Sequence, residues 1–355
     1  MLSKDIEKAK SIIMNYDGPP IKIMEVCGTH THEIFKLGIR NILPNNINLI
    51  SGPGCPVCVT PTEFIDEAIY LALEKNITIC TFGDLIRVPG TSSSLGDARS
   101  KGANIQMVYS PLDSVEYAIN HPEQQVVFLS VGFETTTPAS CIAVRNAKNI
   151  ELKNFSILGA NKTMYQAYLA LKDAADAYIY PGHVCTMTGM SELYKLRDEE
   201  NVSGAVTGFS ASEILSSLAY IISETQKNKP FVANLYPRVV TEEGLIKAKT
   251  LVENTMESCD SIWRGLGIIE KSGMKLKKEY IDYDARAKYD IPKIVGKPNK
   301  GCKCGEVLRG DIKPFECPLF SKGCTPEHPI GACMVSNEGA CSAYYKYGEN
   351  LWKKN

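Results

Sequence analysis

The sequence predicts an α/β protein with two similar parallel-sheet α/β lobes facing a cleft, plus a smaller cysteine-rich domain formed mainly by the C-terminus. Short β-rich runs alternate with helical patterns of ten or more residues, and the alternation occurs as two series of similar length. Strands and helices that alternate in this way indicate parallel sheets built from βαβ units. Six of the 13 cysteines follow residue 301 of the 355-residue chain, which predicts the third domain.

The elements follow in order from these patterns. An amphipathic helix is expected within residues 1–20, packing on the C-terminal domain. Residues 21–120 form α/β domain 1, with strands at IKIMEV, INLIS, ITICTF and NIQMVY. Residues 121–250 form α/β domain 2, with strands at QQVVFLSV, FSILGA, AYIY, VSGAVTG and PFVANLY. From about residue 255 the pattern dissolves, and residues 251–355 are expected to form the cysteine-rich domain.

The bulk composition excludes several classes of function. The net charge is −1 and no run of like charges occurs, so neither a nucleic acid nor a membrane is an expected partner. The N-terminus lacks the apolar stretch of a signal peptide, and no segment reaches the roughly 20 apolar residues of a membrane span. A cytoplasmic location is therefore expected. In a reducing compartment, 13 cysteines indicate metal ligation or redox chemistry rather than a disulfide framework.

Glycine-containing polar loops directly follow six of the predicted strands. They read CGTH, GPGCPVC, GDLIRVPG, GFETTTP, PGHV and GFS. In open parallel sheets, ligands bind at the carboxyl ends of the strands, in the loops that lead to the next helix. The six loops are therefore expected to line one rim, or a cleft between two rims.

The first of these loops contains a cysteine followed closely by a histidine. Cys27 is expected to end a strand at the N-terminus of a helix, where backbone N–H groups and the helix dipole lower the pKa of a thiol. This favours a reactive or metal-binding sulfur. His30 could serve as a base, a metal ligand or a hydrogen-bond partner.

The second loop contains Cys55 and Cys58 in a Cys-x-x-Cys pair. This spacing is typical of a thioredoxin-type redox pair and also of half a zinc knuckle, which Cys27 and His30 could complete. The Gly52–Pro56 run predicts a stiff, exposed loop, and a redox-active dithiol is favoured over structural zinc. In the GFETTTP loop, Glu134 could handle protons or orient His30, or it could cap a helix.

The C-terminal cysteines occur as C-x-C, then after intervals of 12, 6, 8 and 7 residues. Zinc usually shows two C-x-x-C knuckles, and this segment has none. Irregular spacing with a Cys-Pro step fits an iron–sulfur cluster held by four thiolates, which leaves two thiols as a possible redox pair.

Long motifs throughout the chain resemble the HypD family of [NiFe]-hydrogenase maturation proteins. They include CGTHTH, GPGCPVC, TFGDLIRVPG, YSPLD, GFETTTP, PGHV, CKCGEVLRG and CTPEHPIGACMVSNEGACSAYY. The chain departs from the family pattern in GFSASEIL and in the cysteine of PGHVC. The resemblance implies a scaffold that assembles the Fe(CN)2CO group. Its implied partners are a HypC-type chaperone and HypE, from which the cyanide comes.

The resemblance also implies roles for individual residues. Cys27 is implied as a ligand of the iron, shared with a cysteine of the chaperone, with His30 beside it. Cys55 and Cys58 are implied as the dithiol that supplies or relays electrons. A [4Fe-4S] cluster is implied at four cysteines, with a companion pair at two more: the ligands are Cys304, Cys317, Cys324 and Cys341, and the companion thiols are Cys302 and Cys333.

Two other functions stay open at this point. A stand-alone thiol–disulfide oxidoreductase, reduced by its own iron–sulfur cluster, is the main alternative to the scaffold. A zinc-stabilised binding module is the third. Whether a cofactor-assembly scaffold with redox-active thiols is an enzyme in the usual sense stays uncertain.

Overall fold

The strands occur where the sequence predicts them, in a computed structural model that describes residues 2–349. In chain order they are β1 (Ile21–Glu25), β2 (Ile47–Ser51), β3 (Thr78–Thr81), β4 (Ile105–Met107), β5 (Val126–Ser130), β6 (Phe155–Gly159), β7 (Ala177–Pro181), β8 (Gly204–Thr207), β9 (Val232–Asn234), β10 (Met256–Trp263) and β11 (Gly267–Leu276). The first nine coincide with the nine predicted strands, so the predicted α/β class is confirmed.

The helices alternate with the first nine strands, as the predicted βαβ pattern requires. They are α1 (Leu2–Met14), α2 (Gly28–Lys36), α3 (Pro56–Val59), α4 (Thr62–Leu73), α5 (Leu95–Ser100), α6 (Pro111–Asn120), α7 (Thr137–Asn149), α8 (Met164–Ala170), α9 (Gly182–Thr188), α10 (Ser191–Glu200), α11 (Ala211–Thr225), α12 (Ile246–Thr255), α13 (Ala285–Tyr289), α14 (Cys304–Arg309), α15 (Ala332–Val335) and α16 (Ala340–Tyr347). Capping boxes start α6 and α11, where a serine and an acidic residue three positions later bind each other's backbone N–H groups. Among residues 2–349, no helix has the length and apolar character that crossing a membrane requires.

Two parallel sheets organise the chain. Sheet A has the strand order β2-β1-β7-β8-β9, and sheet B has the order β4-β3-β5-β6. Strands such as β5, β7 and β8 are buried along their whole length, as expected for parallel strands covered on both faces. The division into residues 21–120 and 121–250 stays a prediction about domains, and sheet B takes strands from both ranges.

The parallel order of sheet A brings four of the predicted loops to one edge. The loops after β1, β2, β7 and β8 all leave from the carboxyl ends of neighbouring strands. These loops contain CGTH, GPGCPVC, PGHV and GFS, in that order along the chain. The loops after β3 and β5, which contain GDLIRVPG and GFETTTP, leave sheet B in the same way.

The region after residue 255 contains regular strands, although the sequence predicts no further alternation of strands and helices there. Strands β10 and β11 form an antiparallel hairpin with a register shift between Cys259 and Ser261. Half of the positions on each strand are exposed, whereas Trp263 is fully buried and its Nε1 donates to Ser272 Oγ (2.7 Å). Charged residues occupy the outer face of the hairpin, so it lacks the apolar run that marks a strand in the sequence.

Helix α1 also differs from its expected position. It packs mainly against α11, on the outer side of sheet A, instead of on the cysteine-rich segment. Ile13 of α1 is fully buried in the same hydrophobic cluster as Ile23 and Leu218. The amphipathic pattern predicted the helix correctly, but it did not specify the surface that the apolar face would cover.

A buried ion pair joins the carboxyl ends of β1 and β2. Arg40 Nη2 donates to Glu25 Oε1 (2.5 Å) and to Ser51 Oγ (3.0 Å), and Ser51 Oγ donates to the same carboxylate oxygen (2.6 Å). The side chains of Glu25 and Arg40 are 0% and 8% exposed. The Arg40 guanidinium also lies over the rings of Phe35 (4.6 Å) and Tyr344 (5.4 Å), which connects sheet A to α16.

We predict that Arg40→Met lowers the free energy of unfolding by about 3–5 kcal/mol, because it leaves the Glu25 carboxylate buried without its cation. Urea denaturation followed by circular dichroism measures the change. Arg197→Met is the matched control, since the Arg197–Asp198 pair is 33% and 59% exposed and such pairs contribute about 0–1 kcal/mol. Equal losses in the two variants would contradict the prediction.

Candidate functional site

Cys27 lies between β1 and α2, with its backbone extended (φ −148°, ψ 127°). Its side chain is half-buried. Burial raises the pKa of Cys27 to about 11, and the backbone N–H groups of His30 and Thr29 oppose this shift. The predicted position at a helix N-terminus is confirmed, but the expected lowering of the pKa is wrong, because desolvation outweighs the helix end. A bound cation would compensate the desolvation and favour the thiolate.

His30 lies fully buried against the loops that follow β7 and β8. Its Nε2 lies 2.9 Å from the carbonyl oxygen of Gly208, so this nitrogen carries the proton and donates it. Its ring stacks on Phe209 at a centroid distance of 4.5 Å, and His183 lies on the same phenyl ring at 4.2 Å. Burial lowers the pKa of His30 to about 4, so the ring is neutral near pH 7. Its Nδ1 is buried and has no hydrogen-bond partner within residues 2–349.

Cys55 and Cys58 lie at the start of α3, where Cys58 N–H donates to Cys55 Sγ (3.3 Å). They are 3% and 1% exposed. The expectation of an exposed loop is therefore wrong: Gly52 to Cys55 are all buried. Glycine and proline correctly predict the turn, but Met24 and Cys27 lie against Gly52 and Gly54, and α15 packs on α3, which follows the loop.

Close backbone approach brings the first two loops together. Gly28 N–H donates to Gly54 O (3.0 Å). A Cβ on Gly54 would lie 2.2 Å from Cys27 N and 2.3 Å from Cys27 Cα, so only glycine fits there. The glycine before Cys55 therefore sets how closely the CGTH and GPGCPVC loops approach.

Glu338 is a site residue that the sequence reasoning missed. Thr29 Oγ1 donates to Glu338 Oε1 (3.0 Å), and a Cβ on Gly28 would lie 2.3 Å from Glu338 Cβ. This carboxylate lies near enough to Cys27 to help raise the pKa of its thiol. The sequence could have indicated this residue, because Glu338 lies in the CTPEHPIGACMVSNEGACSAYY motif, three residues before Cys341.

The six C-terminal cysteines surround one small, mainly apolar cavity. Val307, Leu319, Phe320 and Met334 supply much of the rest of its lining; the cysteines are Cys302, Cys304, Cys317, Cys324, Cys333 and Cys341. Cys324 Sγ accepts the backbone N–H of Ile330 (3.3 Å). No group of three or more His, Cys, Asp or Glu side chains among the described residues is arranged to hold a single metal ion. The thiols surround a volume instead of converging on a point, and thiolates around an apolar volume are the donors that iron–sulfur clusters use.

Cys58 connects the dithiol with this cysteine group. Its thiol donates to Ala332 O (3.9 Å), the carbonyl next to Cys333, and its N–H donates to Cys55 Sγ (3.3 Å). Burial and the neighbouring Cys333 and Cys55 thiols raise its pKa. Helix α3, which contains Cys58, packs on α15, which contains Cys333. Cys302 in turn lies within hydrogen-bonding reach of Cys304. The structure therefore places the two groups of thiols in contact, although they are more than 240 residues apart in the sequence.

Glu134 follows β5, as predicted, and it binds a helix end. Its Oε1 accepts the backbone N–H of Met164 (2.7 Å), the first residue of α8, whereas the side chain of His30 bonds to Gly208 O. The other oxygen, Oε2, is buried without a hydrogen-bond partner in the described part of the chain. Burial raises the pKa of Glu134 to about 7. The geometry matches the helix-capping alternative and gives the carboxyl group a proton that it can exchange near neutral pH.

The comparisons with known proteins agree over nearly the whole chain. Residues 2–348 match the family described as HypD, hydrogenase formation hypA family. The hydrogenase maturation factor HypD of Rhodobacter capsulatus is 40% identical over 338 residues, covering 93% of this chain and 90% of that protein. Those of Rhizobium leguminosarum bv. viciae and Cupriavidus necator are 41% and 37% identical, covering 92% and 93% of this chain and 88% and 90% of their own lengths. With this coverage and identity, the chain belongs to the HypD family of hydrogenase maturation factors.

Proposed function

We propose that this protein is the scaffold on which the Fe(CN)2CO group of [NiFe]-hydrogenase is assembled. It holds the iron together with a HypC-type chaperone, accepts cyanide from HypE, and supplies electrons through its thiols and a [4Fe-4S] cluster. The observation that carries this proposal is the position of Cys58 between Cys55 and the backbone next to Cys333: its N–H donates to Cys55 Sγ (3.3 Å) and its thiol donates to Ala332 O (3.9 Å). It joins a cysteine loop at the edge of sheet A to the C-terminal cysteine group.

Cys27 is the residue through which the protein would hold its iron substrate. Low-spin iron with cyanide and carbonyl groups favours soft thiolate ligands, and Cys27 is a half-buried thiol at a sheet edge. The neighbouring His30 is neutral, and its Nε2 already donates to Gly208 O. A single thiolate is a weak anchor, so a second ligand from the chaperone would complete the site.

Cys55 and Cys58 have the chemistry that release of cyanide from a thiocyanate requires. The dithiol and R–S–C≡N give R–SH, cyanide, one proton and the Cys55–Cys58 disulfide. The S–C bond of the thiocyanate breaks and is reduced by two electrons, while the two cysteines are oxidised. Thiol–disulfide couples can be poised near cellular potentials, so the disulfide can be reduced again for the second cyanide.

The C-terminal cysteines supply the route by which electrons return. Cys304, Cys317, Cys324 and Cys341 are proposed as ligands of the [4Fe-4S] cluster, with Cys302 and Cys333 as the companion pair. A cluster at this position would supply one-electron redox chemistry. Cys333 lies against Cys58 and also lines the thiol cavity, so it connects the proposed cluster ligands to the dithiol.

The burial of the dithiol disfavours the alternative of a stand-alone thiol–disulfide oxidoreductase. Such enzymes expose the attacking sulfur so that another protein's disulfide can reach it. Cys55 and Cys58 are 3% and 1% exposed, and Cys58 contacts thiols of its own chain. Their electrons are therefore proposed to come from inside the protein.

We predict that Cys27→Ala abolishes the infrared bands of cyanide and carbonyl, because the iron loses its only proposed ligand from this chain. The measurement is infrared spectroscopy on the anaerobically purified complex with the chaperone, together with iron and acid-labile sulfide analysis. Cluster absorbance should persist, since Cys27 is separate from the C-terminal cysteine group. Cys259→Ala, which changes a half-buried cysteine in the β10–β11 hairpin, is the control and should keep the bands.

Several outcomes of this experiment would contradict the proposal. Bands that persist in Cys27→Ala would remove that residue from the iron site. Absence of the bands in the unaltered complex would overturn the scaffold function itself. Zinc without acid-labile sulfide in the C-terminal segment would exclude the proposed cluster.

We predict that Cys55→Ser redirects the oxidation of Cys58 to Cys333. The serine variant leaves Cys58 with one sulfur neighbour in reach, and diamide would take up the two hydrogen atoms as the disulfide forms. Peptide mapping by mass spectrometry should then identify a Cys58–Cys333 disulfide, which Cys55→Ser/Cys333→Ser would lack. A Cys58 that stays reduced, or that pairs with Cys27, would show that the Cys58–Cys333 contact is not a route for electrons.

A further inference from the structure

A basic segment leads directly into the C-terminal cysteines. Residues 291–303 contain four lysines and no acidic residue: Lys293, Lys297, Lys300 and Lys303. The segment forms neither a helix nor a strand, and the first three lysines are exposed. Within residues 2–349 these three form no ion pair. Lys297 N–H donates to Thr91 Oγ1 (2.8 Å), which fixes the segment against the loop after β3.

This segment borders a cleft of about 920 Å³ that opens above the cysteine group. Pro298, Asn299 and Lys300 form part of one wall, and the loop at residues 89–94 forms part of another. Cys302 and Cys304 line both this cleft and the cavity that the six thiols surround. The cleft is therefore a short path from solvent to those thiols.

Positive charge predominates inside the cleft as well. Arg264 is 7% exposed, and among the described residues its guanidinium donates only to neutral oxygens, those of Thr62 (2.9 Å) and Pro89 (2.6 Å). Arg87 likewise donates to two backbone carbonyls, Pro326 O and Val335 O (both 3.1 Å).

The acidic residues of the cleft offset only part of this charge. Glu306 is paired with Lys303 (2.7 Å), and the carboxylate of Asp97 caps its own helix at Ser94. Glu327 is the third acidic residue in the lining, which also contains Arg87, Arg264 and Lys300. The cleft and the lysine segment thus form a surface with an excess of positive charge beside the cysteine group, although the carboxylates of Glu63 and Asp66 lie at Gly296 and Thr91, where the two parts meet.

We propose that this basic surface, formed by the cleft and residues 291–303, docks an acidic one-electron carrier protein that reduces the cysteine group. The inference rests on the proposed function, in which each cyanide leaves the dithiol oxidised. Two reduced carriers each deliver one electron, and two protons from solvent complete the reduction of one disulfide to two thiols. The carrier, defined here by an acidic surface and a low potential, is oxidised in the process.

A protein partner fits the extent of the charge better than a small ligand does. Lys293 and Lys297 lie outside the cleft lining, so the basic surface extends beyond any molecule that the cleft could enclose. Charges spread over a rim steer diffusional encounter with an oppositely charged protein and orient it before contact. Electron transfer needs this short, oriented encounter rather than tight binding.

The test compares two reductants of opposite charge on the full-length, cluster-loaded protein. Reduced flavodoxin is the acidic carrier, reduced methyl viologen is the small cation, and stopped-flow absorbance follows bleaching of the cluster. We expect the rate with flavodoxin to fall as salt is raised, because screening weakens the attraction. Lys297→Glu/Lys300→Glu should lower that rate about tenfold at low salt. Viologen should reduce the variant at least as fast as the unaltered protein, and Lys229→Glu, an exposed change between α11 and β9, should affect neither rate.

The outcomes separate this inference from the proposed function. A flavodoxin rate that is independent of salt and unchanged in the double variant overturns the docking surface, while normal reduction by viologen leaves the proposed function standing. If neither reductant bleaches a cluster, the proposed function fails and the docking proposal fails with it. A rate that rises with salt would show that the surface repels acidic carriers, which also overturns the inference.

Discussion

The buried Glu25–Arg40 ion pair is the constraint on which the arrangement of the site depends. It ties together the ends of β1 and β2, and the two cysteine loops begin immediately after those ends. The guanidinium also lies over Tyr344 of α16, so the same charge anchors the C-terminal segment to sheet A. Two charges removed from water are costly unless each stays paired, so the three parts are held in one geometry.

The cysteine-rich segment is built into the two sheets rather than attached to them. Glu338 binds Thr29 after β1, and Arg87 after β3 donates to carbonyls of the C-terminal segment. Arg264, at the base of the hairpin, donates its backbone N–H to Val59 O (2.9 Å), beside Cys58. Contacts of this kind make the approach of Cys333 to Cys58 a property of the whole fold, because neither segment could set it alone.

The sequence predicts the parts of this protein that local pattern determines. The nine strands follow from apolar runs between helical patterns, and Cys27 follows a strand as expected. The prediction of an exposed Gly52–Pro56 loop was wrong because Met24 and Cys27 lie against its glycines and α15, some 280 residues further along the chain, packs on the helix that follows it. The lowered pKa of Cys27 was wrong for a similar reason, since desolvation comes from distant residues that a local pattern does not contain. The β10–β11 hairpin was missed because its outer face is charged.

Burial controls where the proposed thiol chemistry can occur, because it sets the protonation state of the thiols. Sulfurs with raised pKa values stay protonated and react slowly with solvent oxidants or with thiols of other proteins. A cation at Cys27 would stabilise its thiolate, and an electron acceptor beside Cys58 would stabilise its oxidised form. Each is a form of the sulfur that burial alone disfavours. In the proposed function, chemistry would then begin where a partner brings iron or thiocyanate, and the proposed source of electrons would reach Cys302 and Cys304, which line the cleft. The proposed function thus separates the place where electrons would enter from the place where they would be used.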